Sequence, residues 1–145
     1  MDKIFQMLKE WAINYARHRH IVKGYEKSED TEKGIIIHSN GKKEEYTAEP
    51  VLRVPENTGG EIFIVTLNTK QNLDFLIKSW KSFSSNEKLT LIFANPSSEL
   101  ETKWIVKPYI HNRICDEGSL ASGLKSMFDN VGPVNEKELL SGETG

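Results

Sequence analysis

Apolar residues recur along the chain with two periods, and the switches between them set out a succession of helices and strands. Ile4, Leu8, Trp11, Ala12 and Tyr15 repeat at helical spacing while Lys3, Lys9, Glu10 and Arg17 take the other faces. Residues 2 to about 22 are therefore predicted to form an amphipathic helix that stops near Gly24. The polar, aperiodic segment 26–33 reads as a connector. A strand from Gly34 to His38 and its return from Lys43 to Thr47 flank Ser39-Asn40-Gly41-Lys42. The Asn-Gly pair favours a tight hairpin because both residues tolerate positive φ. Val51, Leu52 and Val54 extend the second strand beyond Pro50, until the stretch from Pro55 to Gly60 forces a loop.

Ile62 to Leu67 reads as a buried strand. Thr69 is placed to cap a helix whose Leu73, Leu76, Ile77, Trp80 and Phe83 keep the period of a helix lying on a sheet, and Ser84-Ser85-Asn86 ends it. The uninterrupted apolar run from Leu89 to Ala94 belongs in a sheet covered on both faces. After a loop through Pro96-Ser97-Ser98 comes a strand from Lys103 to Tyr109, reaching Ile114 in the longer reading. The last helix begins near Ser119, buries Leu120, Leu124, Met127, Phe128 and Val131, and stops at Gly132-Pro133. The fold class is thus mixed α/β, in the order α-β-β-(β)-β-α-β-β-α, with a central mixed sheet flanked by helices. Residues 1–134 are expected to form a single globular domain and 135–145 a flexible C-terminal tail.

Composition narrows the function only a little. With 37% hydrophobic and 28% charged residues the chain has ordinary globular content, and its net charge of −2 argues against a general polyanion binder while leaving room for a local basic patch. One cysteine, Cys115, excludes an internal disulfide and a cysteine-only zinc site, which fits a cytoplasmic location. No apolar run approaches the roughly 20 residues that span a bilayer, and the N-terminus lacks the apolar core of a secretory signal, so no membrane span is predicted. Nucleotide loops, zinc-spaced cysteines and nucleophile elbows are missing from the sequence.

Candidate chemistry gathers in two places. Arg17-His18-Arg19-His20, with Lys23 just beyond, closes the first helix with basic groups that either complement the negative end of the helix dipole or contact phosphate. The two histidines, spaced i, i+2, point apart and do not share a zinc ion. Farther on, Trp104 and Tyr109 combine with Lys103, Lys107 and Arg113 in the manner of a stacking platform for unpaired bases, whereas Trp80 falls on a helical core stripe. His111, Asn112, Arg113, Cys115 and Asp116 invite a catalytic reading. As strand residues, however, His111 and Cys115 would lie roughly 13 Å apart, too far for a nucleophile and its base. The reading adopted instead buries Ile110, Ile114 and Cys115, sets Asp116 to cap the following turn, and leaves His111 and Arg113 on the rim.

The predicted element order, helix, strand hairpin, strand, helix, strand, resembles that of the PD-(D/E)XK nuclease fold over residues 1 to about 110. In that family an acid on the second strand and an acid-x-lysine on the third hold a divalent metal. Glu49, in Glu49-Pro50, stands where the first acid would fall; at the second motif the chain reads Thr66-Leu67-Asn68, which cannot hold a metal with charge. Lys70 follows closely, and Glu10 sits where some members carry a further acid. The basic and aromatic rim leads to the reading of a small non-catalytic binding module without metal or cofactor, contacting nucleic acid or a nucleic-acid-processing partner, to which the resemblance adds a degenerate nuclease-like fold. The residues expected to contribute are Arg17, Arg19, Lys23, Trp104, Lys107, Tyr109, His111 and Arg113. Two alternatives stand beside it: a magnesium-dependent nuclease or hydrolase using Glu10, Glu49 and Lys70, and a protein–protein adaptor that binds no nucleic acid.

Overall fold

The computed structural model describes residues 2–56, 59–99, 101–135 and 137, and the side chain of Glu117 lies outside that description. The expected tail from 135 onward therefore falls almost wholly outside the described residues. Helix α1 (Lys3–Arg19) starts where the Asp2 carboxylate accepts the Ile4 and Phe5 amides at 2.9 and 3.4 Å, an N-cap that satisfies otherwise orphaned donors. Its basic last turn ends at His20, and Gly24, at φ +70°, turns the chain back.

Strands β1 (Lys27–Asp30), β2 (Gly34–Ser39) and β3 (Lys42–Ala48) form an antiparallel meander. The β2–β3 turn is the predicted one, with Asn40 at φ +53° and Gly41 at +74°. Strand β1 corrects the expected connector. It is an edge strand with its side chains mostly in water, so it carries no apolar alternation to betray it, and its charges discourage pairing with other chains. Gly34 is obligatory at this junction, because a Cβ there would meet the Tyr46 carbonyl oxygen.

Strand β3 stops at Ala48 instead of continuing through Val54. The next strand, β4 (Glu61–Leu67), runs parallel to β3, so the intervening chain must travel back along the sheet before β4 can begin. Asn72 fastens this return: its amide oxygen accepts the Leu52 N–H at 2.9 Å and its amide nitrogen donates to the Pro50 and Leu67 carbonyls. β5 (Leu89–Ala94) is parallel to β4, completing a sheet of order β1 to β6 with β6 (Lys103–Val106) antiparallel at the far edge.

The single helix expected after Thr69 is two, α2 (Lys70–Lys78) and α3 (Trp80–Ser84), divided at Ser79. Pro108 is the second departure: it opens a helix, α4 (Pro108–Ile114), where a strand was expected, its fixed φ and missing N–H suiting a first helical position. α5 (Glu117–Val131) begins two residues early and ends at Gly132, φ +84°.

Two cores sandwich the sheet. Leu8, Ala12 and Ala16 of α1 cover Ile35, Ile37, Tyr46, Phe63 and Val65, while Leu73, Leu76, Phe83, Leu124 and Phe128 cover Ile64, Leu91 and Phe93 on the opposite face. The structure is thus an α/β fold with a mixed sheet between helices, as read from the sequence. Among the described residues, no helix is long and apolar enough to cross a membrane.

Candidate functional site

In open α/β sheets ligands usually sit beyond the carboxyl ends of the parallel strands. Here that end is closed. Asn68, after β4, donates to the carbonyls of Phe128 and Gly132 at 3.1 and 2.8 Å and accepts the Trp104 indole N–H at 2.7 Å. Asn95, after β5, donates to the Gly132 carbonyl at 3.1 Å. These amides hold the chain leaving α5 across the strand ends, so their polarity serves closure.

The opposite end is open and charged. Alternation along β3 places Glu44 on the same face as Tyr46, beneath the last turn of α1. The Tyr46 hydroxyl donates to Glu44 Oε1 at 2.6 Å, His20 Nε2 lies 2.8 Å from the same oxygen, and Arg19 reaches Oε2 at 3.6 Å. Arg19 also spreads over the Phe63 ring, 5.0 Å from its centroid. Burial works to raise the Glu44 pKa, but the hydrogen bonds from Tyr46 and His20 and the Arg19 charge outweigh it and hold the carboxyl below its ordinary value. The Tyr46 hydroxyl is pushed well above the usual tyrosine range, first by burial and then by Glu44.

Above this cluster opens a cleft of about 450 Å³ walled by Arg19, His20, Lys23 and Lys42, with Ser39 and Asn40 on its hairpin side and Glu44 at its floor. A second hollow of about 540 Å³ adjoins it, lined by Lys42, Lys43 and Lys88 together with Gly41, Gly59, Gly60 and Glu61. Lys88 donates to the Gly59 carbonyl at 2.9 Å. Lys42 belongs to both hollows. Arg19, Lys23, Lys42, Lys43 and Lys88 therefore make a strip of five basic side chains along the amino-terminal ends of β3, β4 and β5, with Glu44 and Glu61 in the lining of the two hollows.

Of the residues singled out in the sequence, Arg19 and Lys23 fall on this strip. Arg17 leans instead toward Asp30 at 3.9 Å. The others lie elsewhere. Trp104 is a correction: it is 3% exposed and stacked on Phe93 with ring centroids 4.3 Å apart, so it has no free face for a base. Tyr109 is half-buried beneath the Arg113 guanidinium, 5.7 Å from its ring centroid, and Lys107 is exposed just before α4.

Helical geometry also overturns the expected separation of His111 and Cys115. As i, i+4 neighbours on α4, they bring Cys115 Sγ to 3.3 Å from His111 Nε2. Ile110 and Ile114, expected inside, are 49% and 76% exposed, and Cys115 is only half-buried. Asp116 does precede α5, but through its backbone carbonyl, which accepts the Ser119 N–H at 3.1 Å. The His111 ring is edge-on to Trp80, whose indole N–H donates to Asn112. Cys115 follows the carboxyl end of α4.

Glu10, Glu49 and Lys70 are not brought together. Glu10 is exposed on α1, on one side of the sheet. Glu49 lines a groove of about 350 Å³ on the other side, held at 2.8 Å by Lys33 and at 2.9 Å by Arg53. Lys70 borders a separate hollow between α2 and α5. No hydrogen bond or ion pair joins any two of the three, and among the described residues no group of three or more His, Cys, Asp or Glu side chains could hold a metal ion.

Sequence reasoning missed Lys42, Lys43, Lys88, His20 as a carboxylate partner, and Glu44. The Asn-Gly turn followed at once by two lysines was the available signal for the first two. Compared with known proteins, the chain matches no family model, no curated protein and no solved structure.

Proposed function

We propose that this chain is a non-catalytic binding module that contacts nucleic acid through the strip running from Arg19 and Lys23 to Lys42, Lys43 and Lys88. The observation that carries this reading is that Lys42 joins two adjoining hollows, concentrating positive charge at one sheet end of a chain whose net charge is −2. A local field of this kind attracts phosphates where the molecule as a whole would not. Neither a metal nor an organic cofactor is needed for such contact. The unpaired Cys115 accords with a reducing, cytoplasmic setting.

Titration of labelled oligonucleotides by fluorescence anisotropy, repeated over a range of salt, tests the reading. Binding should be measurable at low salt and weaken steadily as salt rises, and each phosphate contact removed should lower the log–log slope by roughly one unit. A parent protein that binds neither DNA nor RNA at low salt overturns the proposal. The protein-adaptor reading would then gain from the exposed Ile110 and Ile114 on α4.

A further inference from the structure

We infer that the cleft at the end of α1 and its rim take an unpaired nucleic-acid strand, with phosphates on Lys23 and Lys42 in the cleft and a neighbouring base on the Tyr25 ring, which stands beside the cleft against His20; this rests on the nucleic-acid reading above. Tyr25 is 39% exposed and directly follows Gly24, the positive-φ residue that turns the chain back after α1. Its ring stands edge-on to the His20 ring, with centroids 6.2 Å apart and planes at 84°. His20 is itself fixed by Glu44 at 2.8 Å. The backbone beside it is pinned to the β2–β3 hairpin, since the Glu26 N–H donates to the His38 carbonyl at 2.8 Å and the Glu26 carboxylate accepts the Asn40 N–H at 3.0 Å. An aromatic ring held in this way can stack with little further loss of conformational freedom.

The surroundings suit a base as well as a phosphate. Ile21 and Val22 are 71% and 93% exposed, and Val22 lines the cleft, so apolar surface stands in water next to the cations. A stacked base would cover some of it. Two carboxylates beside the cleft have partners: Glu44 is engaged by Tyr46, His20 and Arg19, and Glu26 by the Asn40 amide. The Arg19 contact offsets part of the Glu44 charge, and the Glu26 carboxylate keeps its charge but is turned onto the hairpin backbone. Basic groups flanking an exposed aromatic ring are the combination used by sequence-tolerant binders of single strands.

Duplex nucleic acid fits poorly. Duplex readers commonly lay a free helix face or a ribbon into a groove, whereas the basic end of α1 is tied to β3 through Arg19 and His20 and leans on β1 through Arg17.

The test compares the full chain with Tyr25→Ala and Tyr25→Phe by fluorescence anisotropy at one low salt concentration. The probes are labelled oligothymidylate and oligouridylate of about 12 nucleotides, and a DNA duplex of the same length. The parent should bind the single strands at least tenfold more tightly than the duplex. Tyr25→Ala should lose about tenfold for single strands and almost nothing for the duplex, while Tyr25→Phe keeps parental affinity. A preference between the two single-stranded probes would tell whether DNA or RNA is the natural source. Equal affinity for duplex and single strands, or parental binding by a folded Tyr25→Ala protein, overturns the inference and leaves the basic strip intact. Absence of binding to every probe overturns both.

Discussion

Glu44 and Glu49 lie on or just beyond the same strand, five residues apart, each held by two basic side chains, yet they organise opposite environments. Glu44 faces α1. Around it Arg19, His20, Lys23 and Lys42 outnumber it, and the cleft they form opens to solvent. Glu49 faces the other side, where Lys33 and Arg53 are committed to it and Glu45 and Glu56 line the same groove. In both, burial penalises the carboxylate and its partners overcome that penalty, Tyr46, His20 and Arg19 at Glu44 and Arg53 and Lys33 at Glu49, so both pKa values fall below the ordinary value. An ion pair seen by itself thus says little about function. What distinguishes the two is the surplus: cations remain over at Glu44, and acids remain over at Glu49.

The largest expected effect separates the two by stability. Tyr46 is fully buried and its hydroxyl gives its hydrogen to Glu44. Glu44→Ala removes the acceptor from a group that water cannot reach and should cost about 2–3 kcal/mol in urea denaturation. Glu44→Gln keeps an acceptor and should cost less. If Glu44→Ala proved no worse than the same change at Glu49, the carboxylate under α1 would not be the structural floor of the cleft.

A charge reversal sharpens the comparison through binding. Lys42→Glu together with Lys43→Glu should weaken nucleic-acid affinity by tenfold or more at low salt and flatten its salt dependence, with little change in stability because both side chains are exposed. Arg53→Glu, on the groove around Glu49, should leave affinity unchanged. A loss from Arg53→Glu about half that of the double variant on a logarithmic scale, in proportion to the charge each removes, would mean that binding follows net charge alone and not the strip.

How much of this was legible in the chain depended on whether one residue's own chemistry set the structure. The β2–β3 hairpin was legible because Asn40 and Gly41 themselves accept positive φ. Strand β1 was not, since an edge strand of Lys27-Ser28-Glu29-Asp30 buries no face and leaves no period. α4 was not legible although Pro108 suits a first helical position, because a short segment of Ile110, Ile114 and alternating polar residues fits a strand equally well. The place of Trp104 was not legible for a similar reason: alternation in an edge strand does not say which face is covered, and the stacking platform read from Lys103 to Arg113 needs a ring that the structure buries against Phe93. For the site, the basic end of α1 was plain in Arg17 to Lys23. The contribution of Lys88 was not, because it depends on the parallel pairing that sets the start of β5 beside the start of β4.

The smallest effect is expected at Glu49, and it bears on the metal-dependent alternative. Lys33 and Arg53 are both well exposed, so water and salt weaken their hold. Glu49→Gln should cost only about 1 kcal/mol near neutral pH. Because the folded pKa of Glu49 lies below the unfolded value of about 4.3, its contribution is fully present above that pH and disappears as pH falls through the folded value. The acid limb of the parent's stability curve should therefore be steeper than that of Glu49→Gln, with the two curves converging at low pH. A divalent cation would have to displace two positive groups already seated on this carboxylate, so calorimetry with manganese or magnesium should give no tight site in the parent. Micromolar binding abolished by Glu49→Ala would instead make the groove a metal site, and the contrast between the two carboxylates would have to be redrawn with Glu49 as the functional one.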